Sequence, residues 1–195
     1  MSVERETKLD VGPGFRLPGF DGLLEGVQAI ASDPEQTQTV YWDTPSLRLA
    51  RWGCSLRYRD GQGWTLKLPL LDEGAALARE EIERPGQADQ VPDELSWLVT
   101  AYVRDEALRP TVTLRTVRTR VALADAGRRP IGEVVDDEVS VLADDATAEG
   151  FREVEIETRD EHLAGAAMAR LRAAGAGATI TRPKYLRALG PGPEP

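Results

Sequence analysis

Cysteine and histidine are nearly missing. The 195 residues hold one of each, Cys54 and His162. A lone cysteine forms no internal disulfide, which suits a reducing compartment. One histidine and one cysteine are too few for a zinc site. No apolar run is long enough to span a bilayer, so a membrane is not an expected partner. The N-terminus opens on charged residues without an apolar signal region, so a cytoplasmic location is expected. Basic residues are outnumbered, with 24 Lys and Arg against 33 Asp and Glu and a formal charge of -9. A general nucleic-acid binder carries a basic surface, so nucleic acid is not an expected partner either. An anionic ligand stays open, because basic side chains gathered in a cleft set the local field. Gly12-Pro13-Gly14 is a turn signal and opens no strand–glycines–Lys–helix phosphate loop. No internal repeat is present.

What is present fits one globular domain over residues 1–189, with 41% hydrophobic and 29% charged residues in the chain. Residues 190–195, Gly-Pro-Gly-Pro-Glu-Pro, read as a disordered tail or the start of a linker. Period-two patterns predict strands over Val3–Val11, Thr37–Asp43, Cys54–Arg59, Gly63–Leu68, Leu77–Arg84, Thr111–Leu123, Pro130–Leu142 and Phe151–Thr158. Gly61-Gln62-Gly63 predicts a hairpin, and residues 125–130 a second reversal. Helical spacing predicts helices over Phe20–Ala31, Pro92–Val103 and Asp160–Ala174. Many strands with short connections argue for an antiparallel sheet, closed or nearly so, with helices packed outside.

The strands share an unusual feature, one charged face each. Glu4, Glu6 and Lys8 project to one side of the first strand, about 6.6 Å apart at a rise of ~3.3 Å per residue. A divalent cation on the carboxylates, with a phosphate reaching from it to the lysine, would satisfy all three. Later strands align Ser55, Arg57 and Arg59; Thr65 and Lys67; Arg79, Glu81 and Glu83; Arg118 and Arg120; and Glu153, Glu155 and Glu157. Two arrangements fit. The charged faces point to bulk water, or they point into a wide barrel with a polar lumen. His162 is expected on the surface or at a helix cap, and Cys54 to pack. Trp42, Trp52, Trp64 and Trp97 are expected in core or rim packing, with Trp52 the one that could touch a ligand's organic group.

The E-x-E-x-K of Glu4, Glu6 and Lys8 resembles the signature of the CYTH family, the triphosphate tunnel metalloenzymes. Tyr41-Trp42-Asp43-Thr44 resembles that family's Y-F-D-T, and Leu56-Arg57-Tyr58-Arg59 its L-R-x-R. Lys67, Arg118-Thr119-Arg120, Val154-Glu155-Ile156-Glu157 and Pro183-Lys184-Tyr185 resemble later motifs in the same order. The resemblance implies an α+β fold, an eight-stranded antiparallel closed β-barrel whose tunnel is lined by charge, with helices outside. It implies metal ligands at Glu4, Glu6, Asp137, Glu155 and Glu157. Asp136 is the alternative to Asp137, and Glu153 to Glu157. It implies phosphate-binding cations at Lys8, Arg57, Arg59, Lys67, Arg79, Arg118, Arg120 and Lys184, with Glu81 a further tunnel acid. Glu4, Glu6 and Lys8 are the implied catalytic group.

Mg2+ or Mn2+ suits such oxygen ligands. Arg grips phosphate oxygens in pairs, and Lys adds a point charge. The implied function is metal-dependent hydrolysis of inorganic triphosphate or a related triphosphate or polyphosphate. The alternatives are a non-catalytic polyphosphate-binding module and a class IV-type adenylate cyclase. In bacterial relatives such a domain precedes a helical conserved-histidine domain, so that partner is expected downstream or in trans. A homodimer is left open.

Overall fold

Adjacent strands run antiparallel throughout the sheet. The structure is a computed structural model that describes residues 2–70, 77–143 and 146–190. The side chains of residues 2–5, 77–78, 143 and 146–149 fall outside the described set. The elements are β1 (Ser2–Val11), β2 (Gln28–Ala31), β3 (Glu35–Asp43), α1 (Arg48–Arg51), β4 (Ser55–Arg59), β5 (Gly63–Pro69), β6 (Leu77–Arg84) and α2 (Asp93–Val103). They continue as β7 (Arg109–Ala124), β8 (Pro130–Ala143), β9 (Ala146–Thr158), α3 (Glu161–Ala173), β10 (Thr179–Ile180) and α4 (Lys184–Ala188).

One strongly curled sheet contains all ten described strands, in the order β10-β1-β6-β5-β4-β3-β7-β8-β9, with β2 paired to β7. The two long hairpins β7–β8 and β8–β9 form one wall. The shorter strands β3 to β6 form the other. The two walls meet at β1. Its first half, Ser2 to Glu6, pairs with β6, and its second half, Glu6 to Val11, pairs with β9. The two ladders share only Glu6, and past it the other edge of β1 pairs with β10 at Lys8 and Leu9. The expected eight-stranded closed barrel is therefore found in part. The sheet curls around a lumen, but its wall is not fully closed among the described residues.

The outer face of the sheet is apolar and carries the helices. Leu9, Val11, Val121, Leu123, Val134, Val154 and Ile156 pack against Leu163, Ala167 and Leu171 of α3. Trp42, Leu56, Trp64, Leu66 and Ile82 pack against Leu95, Val99 and Val103 of α2. Asp160 starts α3 by accepting hydrogen bonds from the backbone N–H groups of His162 and Leu163 at 2.9 and 3.1 Å. His162 is exposed, and Cys54 is buried with burial pushing its thiol up to about 11. Trp42 and Trp64 are core, whereas Trp97 and Trp52 are exposed. Trp52 tilts against Tyr102 at 6.0 Å, outside the lumen.

The predicted helix over Phe20–Ala31 is absent. That segment is a chain of turns that ends in β2. Gly22 and Gly26 hold φ at +65 and +76°, which an α-helix does not permit. The apolar spacing that looked helical serves a different end. Phe20 is buried, and Leu23, Leu24 and Val27 pack irregularly on the outer face of the sheet. The hairpin at Gly61-Gln62-Gly63 is present, with Gln62 N–H donating to the Arg59 carbonyl at 3.1 Å. So is the 125–130 reversal, where Arg128 N–H donates to the Asp125 carbonyl at 2.8 Å.

Candidate active site

Strand alternation brings the charged faces together inside the curl. Leu9 and Val11 of β1, Leu56 of β4, Leu66 of β5 and Ile156 of β9 point outward into the two apolar layers. Their neighbours therefore point inward. One cavity is lined by Glu6, Lys8, Arg57, Lys67, Arg79, Arg118, Glu155, Glu157 and Lys184, with Tyr41, Ser55, Pro183 and Tyr185. Eight of the nine charged residues lie on β-strands, from β1, β4, β5, β6, β7 and β9. Lys184 is the exception and arrives from the first residue of α4.

The charges are densely paired. Lys184 Nζ lies 2.7 Å from Asp137, 2.7 Å from Glu155 and 3.1 Å from Glu153. Arg118 forks onto Asp137, with Nε at 2.8 Å and Nη2 at 2.6 Å, and reaches Glu155 at 3.3 Å. Lys8 contacts Glu6 at 3.0 Å and Glu155 more closely still. Lys67 pairs with Glu81. Burial opposes charge on Lys8 and Lys184, but the Glu155 carboxylate and its acidic neighbours outweigh it, and both ammonium pKa values are raised. Burial likewise opposes the Glu155 carboxylate. Lys184, Lys8 and Arg118 overcome it and hold Glu155 well below the usual carboxylate range.

Arg59 behaves differently. Burial and the neighbouring Arg57 pull Arg59 down to about 10. Arg59 donates to Thr39 Oγ1 at 3.0 Å and to Gln62 at 3.2 Å, and it does not line the cavity. Arg120, next along β7, also lies outside the lining. The buried Nε atoms of Arg57 and Arg120 have no hydrogen-bond partner, nor does Glu6 Oε1. Tyr41 shares a hydrogen bond with Arg57, and although burial raises its hydroxyl pKa, Arg57, Lys184 and Arg59 bring it down overall.

Three carboxylates are placed to share a cation. Oxygens of Glu6, Glu155 and Glu157 lie within 4.8 Å of one another. An all-oxygen set fits Mg2+ or Mn2+, and the partnerless Glu6 Oε1 is an acceptor left over for one. Glu4, expected to join them, has a side chain outside the described residues. Asp137 points inward, onto Arg118 and Lys184, whereas Asp136 points the other way and is held by Arg152 at 2.7 and 2.8 Å. Glu153 is inward and buried, paired with Arg187 at 2.6 Å. Tyr41, Ser55 and Tyr185 were not assigned to the site from sequence. Tyr41 and Ser55 share strand faces with Thr39 and Arg57, a signal that was available.

About 50 Å³ of the cavity can hold the centre of a water molecule, within about 480 Å³ of unfilled space that includes open solvent. An entering anion would compete with the carboxylates for Lys8, Lys184 and Arg118.

Two uncharacterised proteins from strains of Mycobacterium tuberculosis are 34% identical to the chain over 208 aligned residues. The alignment covers 96% of the chain and 40% of each relative, so the chain spans well under half their length. Among solved structures, a candidate adenylate cyclase from Bacillus halodurans superposes with a TM-score of 0.62 at 20% identity, over 96% of this chain and 98% of that one. That likeness supports the curled-sheet fold. The family model of the CYTH domain matches residues 3–176, nearly the whole of the curled sheet, and the chain belongs to the CYTH domain family.

Proposed function

We propose that the chain is a divalent-metal-dependent hydrolase of inorganic triphosphate or a related triphosphate or polyphosphate. One observation carries this reading. Six cations from six elements converge with a three-carboxylate cluster in a single cavity. In this reading Arg57, Lys67, Arg79, Arg118 and Lys184 take the phosphate oxygens, with Lys8 beside them. The forked guanidinium of Arg118 moves from Asp137 to phosphate, which offers the same planar geometry. Arg57 presents an Nε that has no partner to lose. Arg59 and Arg120 add field from outside the lining.

Glu6, Glu155 and Glu157 would hold the metal, with Glu4 and Asp137 as further candidates from the resemblance. A bound Mg2+ or Mn2+ supplies Lewis-acid stabilisation of charge on a phosphoryl oxygen. The protein's own contribution is positioning and charge, as suits phosphoryl transfer. In the reaction, a water oxygen bonds to the terminal phosphorus as the bridging P–O bond breaks. The bridging electron pair leaves with diphosphate, and the water proton passes to solvent.

A second reading has one observation in its favour. Glu155 is already claimed by Lys8, Lys184 and Arg118, which are the arrangements of a metal-free anion site. A polyphosphate-binding module would need no more. The extra length of the curated relatives leaves room for the helical partner domain expected from the resemblance.

Phosphate release decides between the readings. It would be measured on inorganic triphosphate, ATP, thiamine triphosphate and long-chain polyphosphate, with Mg2+, Mn2+ or chelator. We expect metal-dependent turnover that Glu6→Gln lowers by orders of magnitude while metal-free binding survives. Binding without turnover under every metal condition would replace the hydrolase with the binding module.

A further inference from the structure

Helix α2 carries apolar residues on both of its faces. Leu95, Val99 and Val103 recur at helical spacing and pack on the outer face of the sheet. The opposite face carries Glu94, Trp97, Leu98 and Ala101, spaced i, i+3, i+4 and i+7, and all four are exposed. Trp97 is 72% exposed, more than any other large apolar residue among the described ones, and Leu98 is 46% exposed. One turn after Leu98, Tyr102 carries the ring of Trp52 at 6.0 Å, and Trp52 is itself 60% exposed. Two open indoles and a leucine thus share one side of the molecule. A solvated helix face is normally polar, and a joined apolar strip of this kind marks a contact surface.

We infer that this face seats a second copy of the chain, with the two α2 helices antiparallel about a two-fold axis at the level of Val99. The face is complementary to itself when read backwards. Glu94 and Arg104 lie five residues either side of Val99, so antiparallel pairing sets Glu94 of each copy level with Arg104 of the other. Trp97 and Ala101 lie two residues either side, so each indole meets a small Ala101 that lets the helices approach. Leu98, one residue from that level, meets its own counterpart beside the axis. A parallel pairing would instead set Glu94 against Glu94 and Arg104 against Arg104. Glu94 holds Arg84 of its own copy, yet its side chain is still 60% exposed. Arg104 is exposed, and among the described residues no acid holds it. Asp93 adds to the acidic end, whereas Asp105 lies past the turn that Arg104 makes at φ +56°. The area is in scale. At roughly 250 Å² for a whole tryptophan, Trp97 and Trp52 leave about 330 Å² open, over half of the ~600 Å² per copy that a small stable interface needs. Such a pairing is isologous and closes at two copies. It lies outside the sheet, so it leaves the lumen free and does not depend on how the lumen is read.

Sedimentation velocity on the intact chain, from about 1 to 100 μM, tests this. We expect a species of twice the 21.3 kDa chain mass to form within that range. Trp97→Ala should weaken the association at least tenfold, because two indole contacts go with it. The charge pair gives a second test that does not touch the apolar strip. Glu94→Arg alone sets Arg against Arg104 at both ends of the interface, and Arg104→Glu alone sets Glu against Glu94. Each variant should associate at least fivefold more weakly than the parent. An equimolar mixture of the two restores both attractive pairs in a heterodimer, and it should return to within twofold of the parent. Circular dichroism melts confirm that each variant is folded. A parent that stays at 21.3 kDa up to 100 μM would overturn the inference. So would a dimer that Trp97→Ala leaves unchanged, which would use another face, and so would a mixture that associates no better than its components.

Discussion

Glu155→Gln removes the carboxylate that three cations share, and its effect can be worked from the contacts. Removing one partner of a buried ion pair costs roughly 3–5 kcal/mol when the other is left uncompensated. Here compensation remains. Lys184 keeps Asp137 at 2.7 Å and Glu153 at 3.1 Å, Arg118 keeps its fork on Asp137, and Lys8 keeps Glu6 at 3.0 Å. The loss should therefore fall below that range, at about 2–3 kcal/mol. For a domain of this size 1 kcal/mol moves the melting temperature by roughly 2–4 °C, so the variant should melt roughly 4–12 °C lower in chelator. Inorganic triphosphate should return most of this. In the parent the ligand must displace Glu155 from the cations and bear its repulsion, and in the variant that competitor has gone. Metal-free affinity should rise by about tenfold, worth ~1.4 kcal/mol. Differential scanning calorimetry with and without triphosphate reads both quantities. A variant that melts with the parent would show that the Glu155 pairs carry no net stability. A ligand shift no larger than the parent's would show that phosphate does not land on these cations.

Other substitutions test the frame that holds the site. Asp43 accepts hydrogen bonds from the backbone N–H groups of Thr44, Leu49 and Ala50 at 2.7, 2.9 and 3.0 Å and so anchors α1; Asp43→Ala should cost about 2 kcal/mol, measured by urea unfolding. Gly63 sits at φ +83°, and an added Cβ would lie 2.8 Å from the Arg84 carbonyl oxygen, so Gly63→Ala should cost about 1–3 kcal/mol by the same measurement. Hydrogen bonds from Ser46 and Arg48 depress the Glu106 carboxyl to about 2. Its contribution to stability is thus full above the unfolded carboxyl value near ~4.3 and is lost as pH falls towards about 2. Glu106→Gln should flatten that part of the acid-unfolding curve, and an unchanged curve would show that the pair is absent in solution.

Period-two alternation is a strong local signal, and it located all eight predicted strands and the inward rows Arg57–Arg59, Glu153–Glu155–Glu157 and Arg118–Arg120. It also separates Asp137 from Asp136 once a register is known, since Arg118 pairs across β7–β8 with Asp137. Register itself is a long-range property and could not be read from β8 alone. The 20–31 segment failed for the opposite reason. Its apolar spacing matched a helix, but Asp21-Gly22 and Gly26 were stronger evidence for turns, and tertiary contacts buried Phe20 without any periodic structure.

The least legible feature is the floor of the cavity. Nothing in Pro183-Lys184-Tyr185-Leu186 announces a five-residue helix packed inside a sheet, because a helix this short has almost no intrinsic stability. It forms where the lumen supplies an apolar seat for Tyr185 and Leu186 and acids for Lys184 and Arg187. A motif therefore indicates that Lys184 belongs with the charged cluster, while only the packing of this short helix shows how it reaches Asp137 and Glu155.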